Sequence, residues 1–406
     1  MNRRHFGSRF IKIALAFIVL SVIAVSTFTA GSKAFAKSDE TVIIAASDWQ
    51  NPEGSKACSD RFASILERIK NDGITHADGF LFCGDYDYDG YGIDNSVLEG
   101  ISAIKEALDG FTDTENTVFA QGNHDTPAAT NGMSRSGNND PKSGKYGVFV
   151  INNDDYMWHN SDENKIIATS NSLKAYLAEK ATANYANPIF IVSHLSLHYS
   201  MRTFYDGDGM YASHLFDIIN RAGQDGLNII FLYGHNHSNG WDDYLGGASV
   251  FLPKGDDILI AQNSRTEYKK EKLSFTYMNA GYIGYYNNHN GADATLTATV
   301  FRIAGSELII NRYSSNGLHS LKASGVRNSY TSESVYPPNL TKYESPQKLT
   351  LYEIETPKED IISGEEISHG TGEKKTNNYA LPLFISIAVL TFVLAGTIII
   401  IKKKKS

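Results

Sequence analysis

Five apolar runs in this sequence each end in residues able to bind a metal ion. Run 41–47 is followed by Asp48, run 79–84 by Asp85, and run 116–122 by Asn123, His124 and Asp125. Run 187–193 is followed by His194, and run 227–234 by His235 and then His237. An apolar, β-rich run that meets a carboxylate, amide or imidazole at once reads as a buried strand whose carboxyl end lines a site. Five of them in chain order point to a metal centre on the carboxyl edge of a sheet. Hard carboxylate and amide oxygens mixed with imidazole nitrogen suit Fe, Mn or Zn.

The local spellings are Asp48-Trp49-Gln50, Gly84-Asp85-Tyr86-Asp87-Tyr88, Gly122-Asn123-His124-Asp125, Ser193-His194 with His198, and Gly234-His235-Asn236-His237. In these elements and this order, over roughly 41–314, the chain resembles the calcineurin-like metallophosphoesterase superfamily, which also contains the purple acid phosphatases. The resemblance implies phosphate-ester hydrolysis with two metal ions (Fe, Mn or Zn). That reaction needs a nucleophile, charge neutralisation on the phosphoryl oxygens, and a route for the leaving-group proton. Two metals about 3.5–4 Å apart supply the first two needs, by ionising a bridging water and clamping the phosphoryl group. By resemblance, Asp85 bridges both metals, Asn123, His194 and His235 complete the second site, and Asp48 and His237 hold the first. His124 is then no ligand; it sits beside the leaving group, oriented by Asp125, as proton donor.

Two positions depart from the superfamily's usual spelling. Most members have His two residues after the first Asp, where this chain has Gln50. Most have Asp three residues after the bridging Asp, where this chain has Tyr88. Purple acid phosphatases also lack that first His, and they use a Tyr at the second offset as a ligand to ferric iron. Three readings stay open: the Tyr88 phenolate replaces the missing imidazole; Gln50 binds through its amide oxygen while Tyr88 packs; or the first site is weakly metallated. Asp87 and Asp89 read as solvated loop carboxylates. His198 is a candidate for work on the substrate or beside the metals, or else a structural residue. Arg202, Tyr205 and His214 are weaker candidates for the non-phosphate part of a substrate. Trp49 and Tyr86 line the mouth or pack in the core.

The elements that must carry these residues alternate. Residues 61–71 place Phe62, Ile65, Leu66 and Ile69 at helical spacing, and 97–108 does so with Leu98, Ile101, Ile104 and Leu108. Further helices are expected over 172–181 and 213–221, the latter with Ser213 as its cap and Leu215, Ile218 and Ile219 on one face. After His237 the pattern turns to strands at 249–252, 258–262, 274–278, 295–303 and 307–313, with a hairpin at Ala304-Gly305-Ser306. Asn279-Ala280-Gly281 matches a turn that members of the superfamily carry after the last histidine motif. The expected fold class is α/β: two packed mixed β-sheets flanked by helices, in one large catalytic domain.

The chain has 406 residues, a formal charge of −8 and two cysteines. The charge argues against a nucleic-acid-coating protein, so no specific nucleic-acid binding is expected. A disulfide framework is excluded; one bridge between Cys58 and Cys83 stays open, although Cys83 reads as a buried small hydrophobe. Residues 1–36 read as a secretory signal: a basic start, an apolar stretch, then Ala34-Phe35-Ala36. The catalytic domain is expected over 37–325 and a polar stalk over 326–380, with 348–355 one more candidate strand. Run 381–401, about 21 residues, is long enough to cross a bilayer as a helix. The basic tail 402–406 that follows is expected on the cytoplasmic side. The layout fits a single-pass protein of a Gram-positive cell surface with its catalytic domain outside. The expected function is a surface-tethered phosphoesterase acting on phosphomonoesters or phosphodiesters. The alternative, which Gln50 favours and His124, His235 and His237 oppose, is a catalytically impaired module that uses the fold for binding or adhesion.

Overall fold

The computed structural model describes residues 40–49, 55–86, 94–125, 135–156, 163–198, 209–235, 251–261, 268–284, 296–315 and short segments between 317 and 351. All lie in the first of two compact units, 1–362. The second unit, 363–406, lies outside the described residues, as do the expected signal, the stalk beyond 351, the 381–401 run and the basic tail. Among the described residues no helix is long and apolar enough to cross a membrane.

Two mixed sheets stack between two layers of helices. The first has β1 (Thr41–Ala46), β2 (Gly79–Phe82) and β3 (Thr117–Phe119) in parallel. On the other side of β1 lie the antiparallel strands β13 (Thr297–Ala304), β14 (Glu307–Ser314) and β15 (Gly317–His319). The second sheet has β5 (Gly147–Ile151), β6 (Ile189–Ser193), β7 (Ile229–Tyr233) and β11 (Thr276–Asn279) in parallel. Short antiparallel strands β4 (Gly137–Asn138) and β8 (Phe251–Leu252) flank it. The strand pair β9 (Asp257–Ala261) and β10 (Tyr268–Lys272) forms a separate hairpin, and β12 (Gly281–Tyr282) pairs with β13. The strand Gln347–Thr350 adds to the free side of β14, where part of the expected 348–355 strand is found.

Period-two alternation explains the layering. In β1, Ile43 and Ala45 face the second sheet while Ile44 and Ala46 face helices α1 (Ser55–Asn71) and α2 (Asp94–Ala107). In β6, Phe190 and Val192 face the first sheet while Ile189 and Ile191 face helices α4 (Glu163–Thr182) and α5 (Gly209–Gln224). A single-turn helix, α3 (Asn153–Tyr156), follows β5. Both faces of the parallel strands are buried, which is why they read as continuous apolar runs.

Several details differ from the sequence reading. In α2 the buried stripe is Val97, Ile101 and Ile104, continued by Leu108 just past its end, and Leu98 is 38 % exposed. Helix α4 begins well before residue 172: its stripe passes through Ile166, Ser170, Leu173 and Leu177, and the buried serine hides the period. Helix α5 starts at Gly209, so Ser213 lies inside it rather than at its cap; Ala212 already shares the buried face with Leu215 and Ile219.

Candidate metal centre

The carboxyl ends of five strands converge. From the first sheet come Ser47-Asp48 after β1, Gly84-Asp85 after β2 and Gly122-Asn123 after β3; from the second come His194 directly after β6 and Gly234-His235 after β7. Backbone bonds lock the ends to one another. The Asp48 N–H donates to the Gly84 carbonyl at 3.0 Å, Trp49 N–H to the Asp85 carbonyl at 2.7 Å, and Gly234 N–H to the His194 carbonyl at 3.0 Å. Asp48, Asp85 and His235 all adopt left-handed φ, at 55°, 63° and 63°. Such a conformation costs a non-glycine residue roughly 1–3 kcal/mol, and it persists where the surroundings over-determine it. At these three residues it turns the chain sharply at the point where each strand delivers its polar side chain.

The glycines make room for this crowding. A Cβ on Gly84 would lie 2.8 Å from His194 Nδ1, and one on Gly122 would lie 2.1 Å from Asp85 Oδ1. One on Gly234 would lie 2.7 Å from Ser47 Cβ and 2.9 Å from Asp48 Oδ2. Any side chain there would push the candidate ligands apart.

Asp85, His194 and His235 each offer one ligand atom, all within 4.8 Å of one another, and all three residues are buried. The two imidazoles stand 5.0 Å apart, ring centre to ring centre. His194 Nδ1 lies 2.7 Å from the Cys83 carbonyl, an acceptor, so Nδ1 carries the proton. Its Nε2 then faces Asp85 Oδ2 at 3.3 Å and Asn123 Oδ1 at 2.8 Å. Three acceptor atoms turned toward one another need a cation between them, either a proton or a metal ion. Without metal the proton fills that role. Burial works to lower the His194 pKa, but the Asp85 carboxylate overrides it, with Asp48 adding, and the imidazolium is held up to about 9. Burial likewise works against the Asp85 charge, yet the imidazoles of His194 and His124 hold its carboxyl well below the usual range. The donor set of carboxylate, amide oxygen and imidazole fits Fe, Mn or Zn.

Asp48 joins this group through its carboxylate, which accepts the His235 N–H at 3.2 and 3.1 Å. His124 is partly buried, and its backbone N–H donates to Asp85 Oδ1 at 3.0 Å. Asp125 was expected to orient His124, but its carboxylate is engaged with backbone. It accepts the N–H groups of Asp85 at 2.9 Å, Tyr86 at 2.8 Å and Gly122 at 2.7 Å. Asp125 therefore clamps the Asp85 turn against the Gly122 turn. Burial and the neighbouring Asp85 charge push its pKa up, and the N–H donors oppose them.

His198, expected either to work near the chemistry or to be structural, is not one of the three grouped residues. It is buried against Tyr233 and Tyr277, with Nδ1 2.7 Å from the Tyr277 hydroxyl. Burial drives its pKa down to about 3, so it is neutral. Trp49 and Tyr86 are fully buried with Phe62, Phe82 and Phe119, so they pack rather than line a mouth. Cys58 and Cys83 are both buried and are not joined in a disulfide; Cys58 Sγ meets the Trp49 carbonyl at 2.8 Å. His214 lies partly buried on α5. Gln50, Asp87, Tyr88, Asp89, Arg202, Tyr205 and His237 lie outside the described residues.

Sequence reasoning missed the spacing role of Gly84, Gly122 and Gly234, although each directly precedes a candidate ligand, and it missed Ser47. A cleft of about 230 Å³ opens at the opposite ends of β7 and β11, lined by Leu227, Ile230, Lys254, Phe275 and Leu308. Its described lining holds no carboxylate, imidazole or thiol, so its size does not make it a rival for the chemistry.

Among solved structures the chain is similar to a dimetal phosphatase from Danio rerio, with 8 % identity, 69 % of this chain and 98 % of that chain covered, and a TM-score of 0.43. It is also similar to GAP50, the anchor in the inner membrane complex of Plasmodium, with 11 % identity, 78 % and 90 % covered, and a TM-score of 0.44. No curated protein matches the chain. The family model described as calcineurin-like phosphoesterase matches residues 41–293, more than half of the chain and the stretch that holds every candidate ligand. This protein belongs to the calcineurin-like phosphoesterase family.

Proposed function

We propose that this protein is a surface-tethered, metal-dependent phosphoesterase that hydrolyses phosphomonoesters or phosphodiesters. The observation that carries the reading is the convergence of Asp85, His194 and His235 within 4.8 Å, with the Nε2 of His194 turned onto two oxygens. Asp85, Asn123, His194 and His235, with Asp48, His237 and either Gln50 or Tyr88, would hold two ions that supply an ionised water and neutralise phosphoryl charge. The chain's own groups do the rest. His124, tied to Asp85 through its N–H, protonates the leaving oxygen. Asp125 acts through the backbone, keeping the Asp85 and Gly122 turns in register. The Cys83 carbonyl keeps the His194 proton on Nδ1, so that Nε2 is the ligand atom.

The test is turnover of p-nitrophenyl phosphate and bis-p-nitrophenyl phosphate by the full-length protein, with metal analysis of the same sample. We expect turnover that needs Mn, Fe or Zn and disappears on chelation. A protein that carries two metal ions and turns over neither ester would leave the binding or adhesion module as the better reading.

The same proposal places a signal at 1–36, a catalytic domain from 37 that takes in the Gln347–Thr350 strand paired with β14, a polar stalk from there to 380, a membrane helix at 381–401 and a cytoplasmic tail at 402–406. It rests on the apolar runs at the two ends and the lysines after the second. Deleting residues 381–406 is expected to release the protein into the medium; a truncated chain that stays on the cell would sink the tether.

A further inference from the structure

Leu308, Ile310 and Arg312 occupy one phase of β14, the phase that faces the second sheet. The first two are apolar core residues and the third is a fully buried guanidinium. Burying a cation costs several kcal/mol unless its bonds repay it, so packing alone does not explain Arg312. Its register does. Arg312 stands opposite Thr299 on β13, and Thr299 stands opposite Ala45 on β1, two residues before Ser47. Arg312, Thr299 and Ser47 thus form a row across three adjacent strands, on the face between the sheets.

The row meets three successive carbonyls. Arg312 Nη2 donates to the Asn279 carbonyl, Thr299 Oγ1 donates to the Ala280 carbonyl at 2.8 Å, and Ser47 Oγ lies against the Gly281 carbonyl. The Asn279–Gly281 turn these groups hold is a strap between the two halves of the metal centre. On one side the Ala280 N–H donates to the Tyr233 carbonyl at 2.9 Å, one residue before Gly234-His235. On the other, the N–H groups of Ile283 and Gly284 donate to the carbonyls of Ser47 at 3.1 Å and Asp48 at 2.6 Å. Ser47 Oγ also reaches Asp48 Oδ2 at 2.5 Å, and the Asp48 carboxylate accepts the His235 N–H. The Gly281 N–H closes the turn onto Asn279 Oδ1 at 2.9 Å.

We infer that Arg312, Thr299 and Ser47 are positioning residues for the metal centre: they grip the 279–281 turn, and the turn sets the distance between Asp48 on the first sheet and His235 on the second. The inference rests on the metal-binding reading of Asp48, Asp85, His194 and His235, and its test separates the two. Co(II) is titrated into the full-length protein, and affinity, stoichiometry and the visible absorption of the bound ion are measured. Thr299→Val keeps shape and deletes one hydroxyl. Arg312→Lys keeps charge and loses the fork that reaches the carbonyl.

Each variant is expected to stay folded, to bind Co(II) about tenfold more weakly, as when a group that orients a ligand is lost, and to shift the absorption of the bound ion. Thr299→Ser, which keeps the hydroxyl, is expected to restore affinity and spectrum. Folded Thr299→Val and Arg312→Lys proteins with wild-type affinity and spectrum would overturn the inference. If Arg312→Lys does not fold, the Thr299→Val and Thr299→Ser pair decides alone. Asp85→Ala is the control for the reading beneath: if it still binds Co(II) as wild type does, the metal centre itself is misplaced.

Discussion

Two histidines on one loop, four residues apart, lie in opposite worlds. His194 and His198 both follow β6 and are 0 % and 2 % exposed. Burial pushes both toward the neutral form. At His194, in the metal-free chain, the Asp85 carboxylate overrides that push and raises the pKa to about 9; at His198 burial prevails and the pKa falls to about 3. The roles of Nδ1 are opposite too. His194 Nδ1 faces a carbonyl and must donate. His198 Nδ1 faces the Tyr277 hydroxyl, whose oxygen already accepts the N–H groups of Leu197 at 3.0 Å and His198 at 3.3 Å, so the hydroxyl proton goes to Nδ1. One histidine sits in a site organised by charge. The other belongs to an aromatic support of Tyr233 and Tyr277, and its backbone bridges to Ile260 of the β9–β10 hairpin. Burial is thus a poor guide to chemistry, and a carboxylate partner is a good one.

The sharpest way to break this comparison is to remove each ring and its partner. Asp85→Ala takes away the carboxylate shared by the candidate ions, and phosphoesterase activity is expected to fall by several orders of magnitude. His194→Ala removes a ligand outright. Metal affinity should drop by more than the roughly 10–100-fold typical of groups that merely orient ligands. His198→Gln keeps a polar atom for the Tyr277 hydroxyl and is expected to leave metal stoichiometry unchanged, with activity within about threefold of wild type and a loss of about 1–2 kcal/mol in stability. Equilibrium dialysis with metal analysis, run beside ester turnover, separates the three. If His198→Gln loses metal as His194→Ala does, the two histidines are not different in kind.

What the sequence made legible follows from where each cause lies. Asp85, His194 and His235 could be read because a strand in a buried parallel sheet must end in polar residues at its carboxyl edge, and the apolar runs show where those edges are. The layered fold was legible for the same reason. Leu98 was placed on the wrong face because Val97 and Leu98 are both apolar, and only packing against α1 and β2 decides between them. The length of α4 was hidden by Ser170, a polar residue on a buried stripe. The backbone clamp at Asp125 could not be read, since the N–H groups it accepts, of Asp85 and Tyr86 about 40 positions away and of Gly122 three positions away, carry no side-chain signature. Arg312 is intermediate. A charge in the apolar phase of Leu308 and Ile310 is visible in the sequence, but the Asn279 carbonyl that receives it is fixed only by the pairing of β14 with β13. His198 looked like His194 because spacing reports proximity along the chain and says nothing about which charges lie across the sheet.

The His198 side of the comparison can also be tested through pH. In the folded protein His198 takes up a proton only near pH 3; in the unfolded chain it does so near its ordinary value of 6.5. Between these values the unfolded state holds the extra proton, so acid favours unfolding. The stability that goes with the neutral ring is fully present above about pH 6.5 and is lost as pH falls toward 3, at up to about 1.4 kcal/mol per pH unit. Other groups titrate in the same window, so the wild-type slope alone does not isolate His198. The difference from His198→Gln does, because the amide has no proton to take up and every other group is common to both chains. Urea midpoints at pH 7.5, 6, 5 and 4 are expected to show wild type the more stable at the top of the range, with the gap closing as pH falls and reversing in the acid limb. Parallel curves, with a gap that does not change over those pH values, would mean that His198 accepts its proton in the folded state as readily as in the unfolded chain. The aromatic enclosure by Tyr233 and Tyr277 would then not be what distinguishes it from His194.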